Sequence, residues 1–415
     1  MTTAIDPREE LKKCVKCGAC MAVCPIYRQT GREEMVARGK LALIERHLEQ
    51  AAAIPASDNL SPFFCQAVDY CLLCHSCEDN CSKGVLITEI IKGIRAEITS
   101  EKGLHPVKKF FFSLLPGKTG RLKNLLKIGW LLQLIGWRRL PAGSGLRRRL
   151  PMPLTDEHTV IPVIPRHNLQ DRLRKRQPPA GLPTLLYFPG CATGYLTPNL
   201  GLATITVLEK LGFAAIVPHA WACCGAVTQG SGDRQSYNVL EEKNLAIIRE
   251  RRTDLDLVVT SCATCGYTLK HYPLPESVKV MDITEFLYEQ REKLEKLLGG
   301  KSLEEKVTYH SPCHLRSQKV TREPRWLLQL MAGDRFVELQ HPERCCGSGG
   351  SFGITHKALS RDILGEKMAD LEHSGAGIIA SGCPGCLIQL REGIHYAGLP
   401  ATAEHPITLL ARLLS

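Results

Sequence analysis

Nineteen cysteines in 415 residues constrain this chain more than any other feature, because eighteen of them fall into two repeats. Cys14, Cys17, Cys20 and Cys24 recur as Cys71, Cys74, Cys77 and Cys81, each position displaced by 57. Cys191, Cys223, Cys224, Cys262 and Cys265 recur as Cys313, Cys345, Cys346, Cys383 and Cys386, displaced by 122 and then 121. Only Cys65 stands outside, and it reads as a buried spare thiol. The opening MTTAIDPREELKK is charged and lacks the apolar stretch of an export signal. The longest nearly uncharged apolar run, 128–137, is too short to span a bilayer. A cytoplasmic location is expected, with a peripheral position on the inner face of the cell membrane as its variant. Thiols kept reduced there act as metal ligands rather than disulfides.

The run Cys14-x2-Cys17-x2-Cys20-x3-Cys24-Pro25 has the spacing that wraps a [4Fe–4S] cubane in bacterial ferredoxins. In two-cluster ferredoxins the fourth cysteine of each run serves the other run's cluster. That pattern assigns one cubane to Cys14, Cys17, Cys20 and Cys81, and a second to Cys71, Cys74, Cys77 and Cys24. Structural zinc is the alternative, but two C-x2-C pairs suffice for it and two full runs are not required. Ser82 stands where proline usually follows the fourth cysteine and reads as a tolerated substitution.

The five-cysteine set is less generic. Five thiolates exceed the four that a zinc ion or a cubane takes, so a larger or unusual iron–sulfur unit is implied, unless one cysteine per copy is mere packing. Gly225 and Gly347 follow the cysteine pairs and allow the backbone to turn round a bulky ligand. Around the first copy the pattern predicts strands at 184–188, 214–217 and 255–260, with helices at 199–211 and 233–251. Around the second it predicts strands at 306–310, 335–339 and 377–380, with a helix at 356–373.

The expected fold class is α+β and multidomain. A helical ferredoxin-like domain with two [4Fe–4S] clusters occupies 1–102, a basic proline-rich connector 103–182, and two repeated α/β lobes 183–300 and 301–415. In the connector, 110–140 should form one or two short helices, and 147–183 looks extended and irregular. The formal charge of +11 is local: segment 103–180 alone is +13 and the rest of the chain is −2. A nucleic-acid partner is therefore not expected. The connector reads as a solvated strap, a docking surface for an acidic partner, or a membrane-surface contact, since Trp130, Trp137 and Phe110–Phe112 lie beside Lys and Arg.

The spacings C-x31-C-C-G-x36-C-x2-C over Cys191–Cys265 and C-x31-C-C-G-x35-C-x2-C over Cys313–Cys386 resemble the cysteine-rich CCG domain of the heterodisulfide reductase family. Phe188-Pro-Gly-Cys191, His310-Ser-Pro-Cys-His314 and Cys345-Cys-Gly-Ser-Gly-Gly350 carry the same resemblance. From 14 to 415, apart from the connector, the chain resembles members in which a two-cubane domain precedes paired CCG domains. These are the iron–sulfur subunits of glycolate oxidase, of lactate dehydrogenases, of anaerobic glycerol-3-phosphate dehydrogenase and of heterodisulfide reductase. The resemblance implies that the two lobes hold one or two further [4Fe–4S] clusters, which in a complete five-cysteine set can be non-cubane.

No Rossmann fingerprint, P-loop, G-x-S-x-G or HExxH occurs, so neither flavin nor NAD is placed in this chain and no residue is given a catalytic role. Together with the resemblance, this implies an electron-transfer subunit of an oxidoreductase complex. Electrons would come from an FAD-containing dehydrogenase subunit and leave toward a further electron-transfer subunit, or a membrane quinone or cytochrome partner. Cys14–Pro25, Tyr27 and Arg38-Gly39-Lys40 are more like the type that serves a 2-hydroxyacid, lactate or glycolate, dehydrogenase. The ending His405-Pro-Ile-Thr-Leu-Leu410 is more like the glycerol-3-phosphate type, and complete CCG sets are shared with heterodisulfide reductase, where a disulfide is reduced at those clusters. His75, His219, His310 and His314 lie beside cysteines and read as packing or capping residues, with sulfur hydrogen bonding or proton relay as the alternative.

Overall fold

A computed structural model describes residues 5–50, 60–115, 120–139, 146–149, 160–251 and 253–415. They form two compact units, neither contiguous in sequence. The first comprises Met1–Ser113, Gly225–Val239 and Arg344–Lys367, and the second Leu114–Cys224, Leu240–Glu343 and Met368–Ser415.

The first unit is helical. Its core lies among the helices Ala37–Gln50, Pro62–Asp69 and Ile87–Lys102, where Ile87, Ile90, Ile91 and Ile94 make a stripe at helical spacing against Leu41, Ile44, Phe64 and Val68. The 57-residue repeat is visible in the backbone. Lys16 and Leu73 have φ of 56° and 52°, and Gly18 and His75 have φ of 82° and 58°. A left-handed step suits glycine and costs other residues about 1–2 kcal/mol. His75 is buried while taking that step, with Nδ1 2.6 Å from Glu78 Oε2. Glu78 in turn accepts from the Thr88 N–H and hydroxyl, so a buried polar network holds the turn.

Residues 225–239 and 344–367 are built into this unit by specific bonds. The Arg95 guanidinium donates to the carbonyls of Val68, Asp69, Cys71 and Gly230. A Cβ at Gly232 would lie 2.2 Å from the Arg95 carbonyl oxygen. Glu366 accepts from Gln29 at 2.7 Å and pairs with Arg28 at 3.4 Å.

In the second unit the antiparallel ribbon β1 (Trp137–Arg139), β2 (Leu146–Arg149) and β3 (Val160–Pro162) precedes two parallel sheets. One is ordered β5-β4-β6-β7, from Thr184–Phe188 (β4), Ala214–Ile216 (β5), Leu257–Thr260 (β6) and Lys279–Asp282 (β7). The other is ordered β10-β9-β8, from Val307–Tyr309 (β8), Ile378–Ala380 (β9) and Thr402–Glu404 (β10). Leu185–Phe188 and Leu257–Thr260 are buried throughout, as strands covered on both faces must be.

The sheets share one core through two equivalent helix pairs. Helix Pro198–Lys210 packs on Pro406–Leu414, and its repeat counterpart Arg322–Ala332 packs on Ile283–Glu289. Val207, Phe286, Leu328 and Leu410 meet Tyr187 and Tyr309 in a single apolar cluster.

Three expectations are corrected. No strand forms over 335–339: a 3-10 turn covers Gly333–Arg335, only Phe336 bridges to Val307, and Glu338 turns to Arg325 at 2.7 Å. Segment 147–183 is not irregular throughout, since it contributes to β2, forms β3, and holds helix Leu169–Leu173, capped by Asn168 on the Asp171 N–H. Cys65 is half-buried, with Lys102 Nζ 3.3 Å from its sulfur.

Asp282, at the end of β7, accepts from the Thr284 N–H and hydroxyl through Oδ1, while its buried Oδ2 has no hydrogen-bond partner. Burial pushes this carboxyl up to about 7. The folded chain therefore keeps a proton that the unfolded chain releases near pH 4, and stability falls as pH rises from about 4 to 7. Asp282→Asn keeps the Oδ1 acceptor and removes the titration. Thermal unfolding scans should show a flatter pH dependence for the variant between pH 5 and 8, by up to about 2.5 kcal/mol; parallel profiles would refute the assignment.

Candidate metal centres

In the first unit Cys14, Cys17, Cys20, Cys77 and Cys81 line a cavity of about 40 Å³, with Arg38 and Leu41 in its wall. Burial raises the Cys20 thiol, assisted by Cys14 and Cys17. Cys24 lies within electrostatic reach of Cys74 and Cys71. Burial and those two neighbours push it up to about 11, against a backbone hydrogen bond at Tyr27. Burial, then Cys74 and Cys71, also hold Cys77 well above its ordinary value. A buried cation lies near this second group: the Lys40 ammonium donates to the carbonyls of Met35 and Tyr70, the latter at 3.1 Å. Burial lowers its affinity for the proton, and Cys71 and Cys24 oppose that.

The first CCG set is gathered within the second unit by the carboxyl ends of β4 and β6, where parallel sheets present their loops. Cys191 and Cys223 sulfurs are 3.6 Å apart. Cys223 also interacts with Cys224, Cys224 with Cys265 and Cys265 with Cys262, so the five thiols influence one another in sequence. Gly190 makes room for it, because a Cβ there would lie 2.6 Å from Cys265 Sγ. The hydrogen bond from Cys223 lowers Cys191, whereas Cys223 is raised by Cys191, by Cys224 and by burial. Cys262 and Cys383 each cap a helix, Ala263–Lys270 and Pro384–Ala397, whose positive N-terminal ends favour thiolate. Their two side chains also bond each other, joining the repeats: Cys383 is lowered by Cys262 and Cys386, with Thr264 Oγ1 a further 3.6 Å contact.

In the second set Cys313, Cys383 and Cys386 belong to the second unit, and Cys345 and Cys346 to the first, where the Gly347 N–H donates to Cys345 Sγ at 3.4 Å. His310 is buried with a ring nitrogen within 4.8 Å of Cys386 Sγ, and His314 Nδ1 is 3.0 Å from Thr264 Oγ1. His219 pairs with Gln170 at the surface, and Ser82 is exposed.

Two residues that sequence reasoning missed clamp the first cysteine pair. Buried Asn244 accepts from the Ala222 N–H at 3.0 Å and donates to the Cys223 carbonyl at 3.1 Å, and the Tyr272 hydroxyl donates to the Cys224 carbonyl at 2.9 Å. Both lie on helices or turns whose spacing looks like ordinary core.

Thiols crowded in this way cannot all ionise together until metal replaces their protons. All-sulfur donor sets suit iron–sulfur clusters, and the residues present fit such groups. Beside Cys191 and Cys223 opens a cavity of about 760 Å³, lined among others by Tyr195, His219, Trp221, Lys123, Arg174 and Lys243.

Residues 10–85 match the 4Fe-4S dicluster domain family, and residues 185–270 and 307–391 match the cysteine-rich domain family CCG. The probable glycolate oxidase iron-sulfur subunit of Bacillus subtilis is 29% identical over 412 residues, covering 94% of this chain and 90% of its own. A dihydromethanophenazine:CoB–CoM heterodisulfide reductase subunit of Methanosarcina acetivorans is 28% identical over 430 residues, covering 98% and 94%. The glycolate oxidase iron-sulfur subunit of Escherichia coli is 27% identical over 417 residues, covering 93% and 91%.

The glycines after the two cysteine pairs are both left-handed at φ 83°, but they differ in surroundings. A Cβ at Gly347 would meet the Ser360 backbone oxygen at 2.6 Å, whereas at Gly225 it would meet the Tyr237 ring at 2.7 Å. A ring can swing aside and a helix carbonyl cannot. Gly347→Ala should therefore cost about 3–5 kcal/mol and Gly225→Ala about 1–3 kcal/mol. Unfolding scans of the two anaerobically purified variants check the order, and equal losses would refute it.

Proposed function

We propose that this chain, which belongs to the iron–sulfur proteins joining a 4Fe-4S dicluster domain to paired cysteine-rich CCG domains, is the electron-transfer subunit of an oxidoreductase complex whose flavoprotein partner oxidises a 2-hydroxy acid, lactate or glycolate. The observation that carries the reading is the convergence of buried thiols at separate centres, in a chain that aligns over nearly its whole length with a glycolate oxidase iron-sulfur subunit. Iron–sulfur clusters supply one-electron storage at thiolate-bound iron.

The chain's own residues supply the rest. Cys14, Cys17, Cys20 and Cys81 hold one cluster and Cys71, Cys74, Cys77 and Cys24 the other; the electrostatic neighbourhood of Cys24 supports the crossed fourth ligand. Cys191, Cys223, Cys224, Cys262 and Cys265 hold a further cluster, with Asn244 and Tyr272 fixing the backbone of the adjacent pair. Cys313, Cys345, Cys346, Cys383 and Cys386 complete the ligand sets.

A second reading has its own observation. The cavity against Cys191 and Cys223 has the volume of a small-molecule site and carries the exposed Arg174, with Lys123 in its lining paired to Asp171. A disulfide bearing anionic groups would reach sulfur there, which supports chemistry like that of the heterodisulfide reductases. In that reaction two electrons and two protons convert one S–S bond into two thiols.

Anaerobic purification of the tagged chain from its own cells, with iron, sulfide and flavin assayed, tests both. The relay reading expects a stoichiometric FAD protein and about sixteen irons per chain. A flavin-free preparation that oxidises reduced viologen with a disulfide would overturn it in favour of the second.

Lys40 provides an independent check. A buried ammonium favours the more negative, reduced state of a neighbouring cluster. Lys40→Met should lower one dicluster potential by roughly 40–90 mV, the equivalent of about 1–2 kcal/mol for one electron. A redox titration followed by electron paramagnetic resonance reads this directly, and unchanged potentials would remove Lys40 from the site.

A further inference from the structure

Helix Gly120–Gly136 is apolar on both sides, and only one side is covered. On the covered side the Gln133 side chain donates to the Ile164 carbonyl at 2.6 Å and accepts from the Ile164 N–H at 3.0 Å. Gly129 sits so close that a Cβ would lie 3.0 Å from Ile164 Cδ1. Lys123 pairs with Asp171, and the Arg166 guanidinium lies 5.6 Å over the Trp130 ring. These contacts fix the helix rotation and leave Ile128, Leu131, Leu132 and Leu134 outward, 56%, 54%, 59% and 48% exposed. At 100° per residue Ile128, Leu131 and Leu132 share one face with Asn124 and Lys127, and Leu134 lies on the other side of Lys127, so the aliphatic residues gather toward the C-terminal half of that face. A contiguous patch of this kind marks an interaction surface, unlike scattered single exposures.

Charge identifies what covers it. Segment 103–180 is +13 while the remainder of the chain is −2, so the patch lies in the one strongly basic part of the molecule. An acidic protein surface would satisfy the lysines and arginines but would place carboxylates over leucines. An anionic bilayer satisfies both, with acyl chains receiving the aliphatic side chains and headgroups the cations. Among the described residues no helix is long and apolar enough to cross a membrane, so a helix of this kind lies in the interface plane.

Helix Pro106–Leu114 has the same design on its own. Val107, Phe110 and Phe111 share a face and are 56%, 54% and 52% exposed, with Lys108 and Lys109 between them, whereas Phe112 is buried. Of the aromatic residues expected at an interface, Phe112 is thus removed, and the Trp137 side chain lies outside the described residues.

We propose that the outer face of Gly120–Gly136, seconded by that of Pro106–Leu114, docks on the interface of an anionic lipid bilayer. The proposal does not depend on which electron donor the chain serves. Vesicle flotation of the anaerobically purified full-length holoprotein tests it. The protein should float with vesicles rich in phosphatidylglycerol, and at least about tenfold less with phosphatidylcholine alone or in high salt. Leu131→Ser with Leu132→Ser should reduce flotation about tenfold or more while leaving the visible iron–sulfur spectrum and melting profile unchanged. Phe110→Ser with Phe111→Ser tests the second helix in the same way. Undiminished flotation of the leucine variant would show attraction by charge alone and overturn the proposal. Binding only to vesicles that carry extracted membrane proteins would overturn it too, in favour of a protein partner.

Discussion

The rest of the structure depends on one constraint: sulfur atoms brought together in a dry interior cannot all ionise unless metal joins them. Cys223 shows it most clearly, its thiol raised by hydrogen bonds with Cys191 and Cys224 and by burial. Cys24 and Cys77 show it in the first unit. The backbone is shaped to keep that crowding in place. Left-handed residues stand at matching points of both short runs, Gly190 leaves room for the Cys265 sulfur, and the helix N-termini at Cys262 and Cys383 offset part of the charge. Folding and metal loading are therefore linked events in this chain, because each bound cluster stabilises a geometry that bare thiols oppose.

The second unit shows why such a centre comes in repeated copies. A three- or four-stranded sheet of short strands buries little by itself, and here two of them share a core across equivalent helix pairs. The equivalence is broken at one informative point. The Ala263 N–H donates to the Gly382 carbonyl at 3.0 Å, while the position corresponding to Ala263 is Pro384, which has no N–H to return. Between these positions the Cys262 and Cys383 thiols bond each other and shift in opposite directions, Cys262 up and Cys383 down. The two copies thus differ in backbone hydrogen bonding at this point, although their cysteine spacing is nearly the same.

Cysteine spacing and strand-to-helix alternation made most of the second unit legible, because both follow from local chain geometry. The strand at Thr184–Phe188 and the helix at Pro198–Lys210 fall within a residue or so of where periodicity puts them. The misses have long-range causes. Lys279–Asp282 and Thr402–Glu404 are strands because a neighbouring strand pairs with them, and their own polar residues disguise this. Segment 335–339 has an alternating pattern but finds a partner only at Phe336. Asn244 and Tyr272 clamp the cysteine pair from 20 residues or more away, so no spacing rule could reveal them. Least legible was the membership of the first unit, since nothing in 225–239 announces that Gly230 and Ser231 accept from Arg95 and Thr99.

The cavity beside Cys191 and Cys223 bears on what a CCG centre is for. A relay needs its clusters close together and dry, and open space at a ligand sulfur contributes nothing to that. Chemistry on a substrate needs the opposite: a sulfur edge that solvent-borne molecules can reach, with groups that hold them. Here Tyr195 and Trp221 supply apolar walls, and Trp221 is fixed by its indole N–H on the Tyr187 carbonyl and by edge contact with Phe188. Lys123 and Asp171 pair with each other across the lining, and the exposed Arg174 adds a guanidinium to it. Positive charge at that edge attracts small organic anions, and it also favours added electrons on a neighbouring cluster.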